Sequence, residues 1–199
     1  MKYYFKGAEI LAPFTITSNA PVYDVDTVSL KKQRASQNAQ RWELSFEVVI
    51  PENPADIFVS GLEGFDSTET MVMPQFKQVY EATTVSTSPK TIGTAQSGTS
   101  SVTVDVSTAS GLIPKGSFIK FSNHDKIYVV TADIDCNLQS DFSASIYPSL
   151  VTQVPTETFI HVGDSCVITY YRDVNNLQGI TFSDGILSSP GTINLIEAL

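Results

Sequence analysis

The sequence predicts a mainly β fold, and three observations carry that prediction. RWELSFEVVI alternates Trp42, Leu44, Phe46, Val48 and Ile50 with Arg41, Glu43, Ser45 and Glu47, the period of two expected of a strand buried on one face. Short runs of Val, Ile, Thr, Tyr and Phe recur along the chain, punctuated by Gly, Pro, Asn and Asp. Only one segment after position 41 shifts clearly to helical spacing.

That segment follows the first strand. In PENPADIFVSGLEGF, Asn53 can cap a helix and Pro54 suits its first position, while Ile57, Phe58, Leu62 and Phe65 fall near one face, with an end near Gly64. Further strands are expected at 70–73, 75–82, 102–106, 118–121, 127–131, 143–147, 158–162 and 167–171. Between 83 and 101, TTVSTSPKTIGTAQSGTSS lacks apolar periodicity and reads as a linker or long exposed loop. From 102 to 164, some five short strands with turns at GLIPKG, SNHD, NLQSD and QVPTE suit a small barrel of the OB type. The tail then returns to strands broken by Asn-Asn, Asp-Gly and Pro-Gly turns. This order suggests a small domain inserted into a larger one, which is tolerated when the entry and exit points lie close together.

At 199 residues, 42% of them hydrophobic, the chain can bury the core of one domain or of two small ones. Its apolar runs are far shorter than the roughly 20 residues of a membrane helix, so no membrane insertion is expected. MKYYFKGAEILAPF has neither an extended apolar region nor a small-residue cleavage site, so no secretory signal is expected there. Cys136 and Cys166 form no disulfide framework or Cys-x-x-Cys motif and are read as reduced, buried thiols. A net charge of −9 weighs against a surface that must neutralise phosphates. In KKQRASQNAQR, Lys31, Lys32, Arg34 and Arg41 gather locally, as a solvated loop or a contact for an acidic neighbouring subunit rather than a phosphate site.

Candidate chemistry is sparse. His124 and Asp125 sit side by side in GSFIKFSNHDKIYVV, where adjacent side chains make a poor catalytic dyad. Strands at 117–121 and 126–130 leave Asn123, His124 and Asp125 as the bend, with His124 expected to be exposed. His161, in TFIHVG, suits a core or interface role, and no Gly-x-Ser-x-Gly elbow is present. The carboxylate pairs Asp133/Asp135 and Glu43/Glu47 could in principle serve a glycosidase, but both suit ordinary solvated positions. DIDCNLQSDFSA opens like a calcium loop with Asp133, Asp135 and Asn137, yet Leu138 replaces the turn glycine and Ala144 the bidentate glutamate. Gly-rich phosphate cradles are missing from the sequence. Tyr128, Phe142, Tyr147 and Phe159 could build a sugar platform, although their apolar surroundings suit core positions better. No catalytic, cofactor-binding or metal-binding residue is assigned, and no enzymatic activity is expected.

Several stretches together resemble the distal tail protein of long-tailed bacteriophages, in its T5-like version. They are GLIPKGSFIKFSNHDKIYVVTAD, then SIYPSL, then the closing segments that end in INLIEAL, in the order and spacing of that family. The likeness is best from about 91 to 199; the first half matches by layout, a RWELSFEV strand followed by one helix. The resemblance implies a β-sandwich domain with one short helix over 1–88 and 166–199, and an inserted OB-like barrel over 89–165. It implies a structural role without catalytic residues: a hexameric ring joining the tail tube to the tip complex. Its partners would be copies of itself, the tube protein, and a hub or fibre-bearing protein. Its place would be the virion tail tip, assembled in the bacterial host cytoplasm. The rival expectations are a carbohydrate-binding module that grips host surface polysaccharide through the barrel, and an envelope hydrolase using Asp133 or Asp135.

Overall fold

The computed structural model describes residues 2–26, 32–36, 39–51, 53–63, 67–107, 109–138, 141–173, 181–189 and 191–199. The chain is mainly β. It runs through β1 (Tyr4–Phe5), β2 (Ala8–Asn19), β3 (Val22–Asp26), β4 (Lys32–Ser36), β5 (Arg41–Val48), α1 (Ala55–Glu63), β6 (Glu69–Val72) and α2 (Lys77–Ala82). It continues through β7 (Lys90–Thr91), β8 (Ser101–Asp105), β9 (Leu112–Ile113), β10 (Phe118–Phe121), β11 (Ile127–Val130), β12 (Ile134–Asp135) and β13 (Phe142–Tyr147). The last elements are β14 (Ile160–Val162), β15 (Val167–Arg172), β16 (Thr181–Ser183), β17 (Ile186–Ser189) and β18 (Ile193–Glu197). Among the described residues, no helix is long and apolar enough to cross a membrane.

By packing, the chain divides into two units: Met1–Thr17, Trp42–Pro74 and Val167–Leu199 form the first, and Ser18–Arg41 with Gln75–Cys166 the second. Relative to the boundaries read at 88/89 and 165/166, the second unit also takes in 18–41 and 75–88. Residues 84–86 are drawn there by backbone bonds from Thr84 N–H to Leu112 O, at 3.0 Å, and from Ser86 N–H to Ser110 O, at 2.9 Å.

The first unit is β-sandwich-like, built on a six-stranded sheet in the order β1-β2-β5-β18-β15-β6. The expected alternation of β5 is realised, with Trp42, Leu44, Phe46 and Val48 buried. Register then sets Ile193 opposite Phe46 and Leu195 opposite Leu44, so the buried sets of β18 and β5 share a face. Each such side chain, fully buried, contributes about 1.5–3 kcal/mol. The sheet curls until its ends meet: Phe5 of β1 packs against Phe46, with ring centroids 5.5 Å apart, and against Tyr170 of β15, at 6.0 Å. Lys6 Nζ lies 2.8 Å from Glu69 Oε1, and the Tyr170 hydroxyl donates to Glu69 Oε2 at 2.8 Å. Glu197, almost fully buried, accepts the N–H of Trp42 at 3.0 Å, which supplies a partner to a carboxylate that would otherwise be costly to bury. Helix α1 starts as expected: Asn53 Oδ1 accepts from Ala55 N–H at 3.2 Å and the Pro54 carbonyl accepts from Phe58 N–H, with Ile57 turned into the core. Gly64, Phe65 and the Asn175–Asn176 turn lie outside the described residues.

The second unit holds a six-stranded sheet in the order β14-β10-β11-β13-β8-β7, where some five strands were expected for an OB-type barrel. Its two edges are themselves joined. Lys90 of β7 bridges Phe159, just before β14; Thr91 N–H donates to Thr158 O and Ile160 N–H to Pro89 O, each at 2.9 Å. Val102, Val104, Ile119, Phe121, Tyr128, Val130, Ala144 and Ile146 thereby face one core. Leu150 and Val154, from the segment after β13, complete it.

Three expectations are corrected. Residues 75–82, read as a strand, contain helix α2: the strand preference of Phe76, Val79 and Tyr80 is overridden by the helix formers Lys77, Gln78, Glu81 and Ala82, and Thr83 Oγ1 closes the last turn on Val79 O at 2.8 Å. Residues 83–101, read as linker or exposed loop, are mostly exposed and irregular but are no linker: they pack into the second unit, contribute β7, and bury Thr91 completely. Hydroxyls do the fastening that apolar side chains do elsewhere: Thr91 Oγ1 donates to Pro155 O at 2.7 Å, and Ser97 Oγ to Val151 O at 3.0 Å. The basic stretch is not a plain loop either. Lys32–Ser36 is β4, in a two-stranded sheet with β3 whose register sets Asp24 opposite Arg34 and Asp26 opposite Lys32. Lys31 lies outside the described residues.

Candidate functional site

The hairpin bend does not hold a dyad. His124 is half-buried rather than exposed, its ring stacked on Phe121 at 5.9 Å and set edge-on to Tyr128 at 5.6 Å. Its Nδ1 lies 2.9 Å from Asn123 Oδ1 and its Nε2 2.8 Å from the Tyr128 hydroxyl. Asp125 instead takes Lys120 Nζ, at 2.7 Å. Burial holds the His124 imidazole below its usual pKa; the Asp125 charge opposes this, and Lys120 and Lys126 add to it. His161 is half-buried on β14, opposite Lys120 in register.

The carboxylate pairs are placed for local structure. Asp133 Oδ1 accepts the N–H of Lys115 at 2.6 Å. Asp135 Oδ1 accepts both the N–H and the side-chain amide of Asn137, and Asn137 in turn grips both backbone groups of Gly111. Of the calcium-like opening, Asp135 and Asn137 therefore clip the 3₁₀ turn Cys136–Leu138 onto Gly111, while Asp133 holds Lys115. Glu43 and Glu47 stand four residues apart on one strand, about 13 Å along it, beyond the roughly 5–9.5 Å that separates glycosidase carboxyl groups. Among the described residues, no group of three or more His, Cys, Asp or Glu side chains gathers as a metal-ligand set. Cys136 and Cys166 are buried free thiols, with burial pushing the Cys136 pKa up.

The four aromatics do not converge. Tyr128 is fully buried, Phe142 half-buried, and Tyr147 and Phe159 exposed. Tyr147 pairs with Val129, which pairs with Phe118, whereas Phe159 bonds Ser122 at the far end of β10. Two strands and four residues therefore separate the exposed rings. Lys90 covers the Phe159 ring, 5.0 Å from its centroid, and its Nζ reaches Glu157 at 2.8 Å.

What the sequence did not suggest is how the β3–β4 hairpin is rooted. Ser18 and Gln40 flank it, and Gln40 Nε2 donates to Ser18 Oγ at 3.0 Å. Ser18 Oγ is 3.1 Å from the Tyr147 hydroxyl, and Lys126 Nζ, from a side chain only 1% exposed, donates to Gln40 O at 2.9 Å. A buried lysine head group needs such an acceptor, and Lys126 thus ties the foot of the hairpin to the start of β11. A lysine leading from the bend straight into the apolar run Ile127–Val130 was the available signal; that its partner would be the Gln40 carbonyl was not. Compared with models of known protein families and with curated proteins, the chain matches none.

Proposed function

We propose that this chain is a structural, ring-forming subunit of a bacteriophage tail tip, of the distal-tail type, with its second unit built as an OB-like barrel. The observation that carries the reading is the β3–β4 hairpin, which among the described residues forms a sheet of its own, joined to neither six-stranded sheet, and is rooted by Ser18, Gln40, Lys126 and Tyr147. A two-stranded hairpin is marginal in water by itself, so one with both outer edges unclaimed by a sheet suits packing on a neighbouring subunit. Closed cyclic symmetry lets identical chains use two different patches to complete one another. A net charge of −9 suits the wall of a channel that must let DNA pass without adhering. The tube protein above and a hub or fibre-bearing protein below are the proposed partners.

Light scattering after size exclusion, with electron microscopy, tests this. Rings are expected for the full chain, and a variant in which 22–36 is replaced by a short Gly-Ser linker should lose them while keeping its β circular dichroism. A chain that stays monomeric at high concentration and is absent from purified virions defeats the proposal. A carbohydrate-gripping barrel is the rival, and selective retention on host envelope polysaccharide would favour it; the separated Tyr147 and Phe159 give it no common platform.

A further inference from the structure

The β3–β4 hairpin is segregated by charge between its two strands. Strand β3 carries Asp24 and Asp26 and no basic residue, whereas β4 carries Lys32 and Arg34 and no acidic one. The register sets Asp24 opposite Arg34 and Asp26 opposite Lys32, and alternation along each strand puts all four positions on one face of the ribbon. One outer edge of the hairpin is therefore acidic and the other basic. Among the described residues, neither edge is joined by a further strand. An open edge presents a row of backbone N–H and C=O groups that another strand can take up. The six-stranded sheet of the second unit, by contrast, joins its own two edges through Lys90 and Phe159.

We propose that each edge takes the opposite edge of a second copy of this chain: β4 of one copy lies antiparallel to β3 of the next, with Lys32 and Arg34 set against Asp24 and Asp26 of that next copy. The pairing rests on the ring reading above and names the contact that closes the ring. Charge decides between the ways in which two identical hairpins can meet. A two-fold pairing sets β3 on β3 or β4 on β4, which brings like charges together across the joint, and directly opposed like charges are destabilising. Head-to-tail pairing of β4 on β3 opposes unlike charges at every joint. It is heterologous, so any row of copies keeps one acidic and one basic edge open until its last member meets its first. Because β3 and β4 run antiparallel within one copy, copies related by rotation about an axis along the ribbon also meet antiparallel. Every acidic strand then has a basic strand on both sides. In a chain of net charge −9, the local gathering of basic residues thus finds its acidic partner in the same hairpin of its neighbour.

The test is co-assembly of the full chain with a charge-swapped variant, Asp24→Lys/Asp26→Lys/Lys32→Asp/Arg34→Asp. The swap keeps unlike charges opposed within the hairpin and at a joint between two swapped copies, so alone it should form rings. At a joint with wild type, two attractions become two repulsions, each worth about 1.4- to fivefold in the association constant. Co-expressed with affinity-tagged wild type, the swapped chain should therefore be at least about tenfold under-represented in captured rings, relative to untagged wild type. Wild-type rings should also weaken as salt rises from about 0.05 to about 0.5 M, a measurement that needs no variant. Wild-type rings that take up the swapped chain as freely as wild type, a swapped chain that folds but forms no rings, or rings indifferent to salt would each overturn this contact and leave the ring reading standing. A wild-type chain that forms no rings would overturn both.

Discussion

Gly111→Ala is expected to be among the most damaging single-methyl additions available to this chain. Gly111 has φ +106, and a Cβ there would lie 2.4 Å from Thr84 O, 2.6 Å from Thr84 C and 2.9 Å from Val85 N. All three are backbone atoms, so no side chain can swing aside. Nor is the backbone free to retreat: Thr84 N–H donates to Leu112 O and Leu112 N–H to Thr84 Oγ1, both at 3.0 Å, while Ser86 N–H donates to Ser110 O. The disfavoured φ costs about 1–3 kcal/mol. Relieving the overlap costs about 1–3 more, taken as shifted backbone or as lost hydrogen bonds of about 1 kcal/mol each. A total of about 2–6 kcal/mol follows, or roughly 4–24 °C in Tm for a chain of this size. Gly98→Ala is the control, because Gly98 also has positive φ, +86, but an added Cβ would meet nothing within 4 Å. It should lose only about 1–2 kcal/mol. Melting should be followed by near-ultraviolet tyrosine dichroism, since the single tryptophan, Trp42, reports the first unit. A Gly111→Ala protein that melts no earlier than Gly98→Ala would refute the close approach of 84–86 to 110–112.

Tyr170→Phe removes the donor to Glu69 Oε2 and should cost about 1.5–3 kcal/mol in urea unfolding. Burial, then the bond to and charge of Glu69, raise the Tyr170 pKa, so the folded state favours the protonated phenol. That contribution is whole below the unfolded value of about 10 and is lost as pH rises beyond it; ultraviolet titration should show one tyrosine ionising only on unfolding, absent in Tyr170→Phe. Cys136 and Cys166, both buried, should resist a thiol reagent until the chain unfolds; reaction of either in the native protein within minutes would contradict their packing.

Where strands announced themselves, a single face was buried. RWELSFEV alternates because one side of it meets a core, whereas the FIKF and IYVV arms of the hairpin were legible as short runs of β-forming residues, each with three of its four residues buried. Strand β2 gives no such signal over its 12 residues, being mostly half-buried or exposed, with Pro13 inside it. The segment 83–101 was illegible for a different reason. Its attachments are backbone bonds, Ser/Thr hydroxyls and the isolated apolar side chains of Val85 and Ala95, a kind of packing that leaves no hydrophobic period to read.

The same contrast explains how far the candidate site could be read. Asn and Asp around His124 marked a bend correctly, because turn preference is local. The burial of His124 is not local: its Tyr128 partner is set by Val151, its Asn123 partner by Gln153, and both belong to a segment beyond another strand. Likewise Lys126 is defined by Gln40, from which a whole segment of the first unit, Trp42–Pro74, separates it in sequence. Residue type at these positions permitted either a solvated or a buried role, and tertiary pairing chose between them. For His124 that choice has a chemical consequence a solvated turn would lack. An imidazole bonded at both ring nitrogens, to Asn123 Oδ1 and to the Tyr128 hydroxyl, is held in one orientation by groups that tertiary pairing fixes in place.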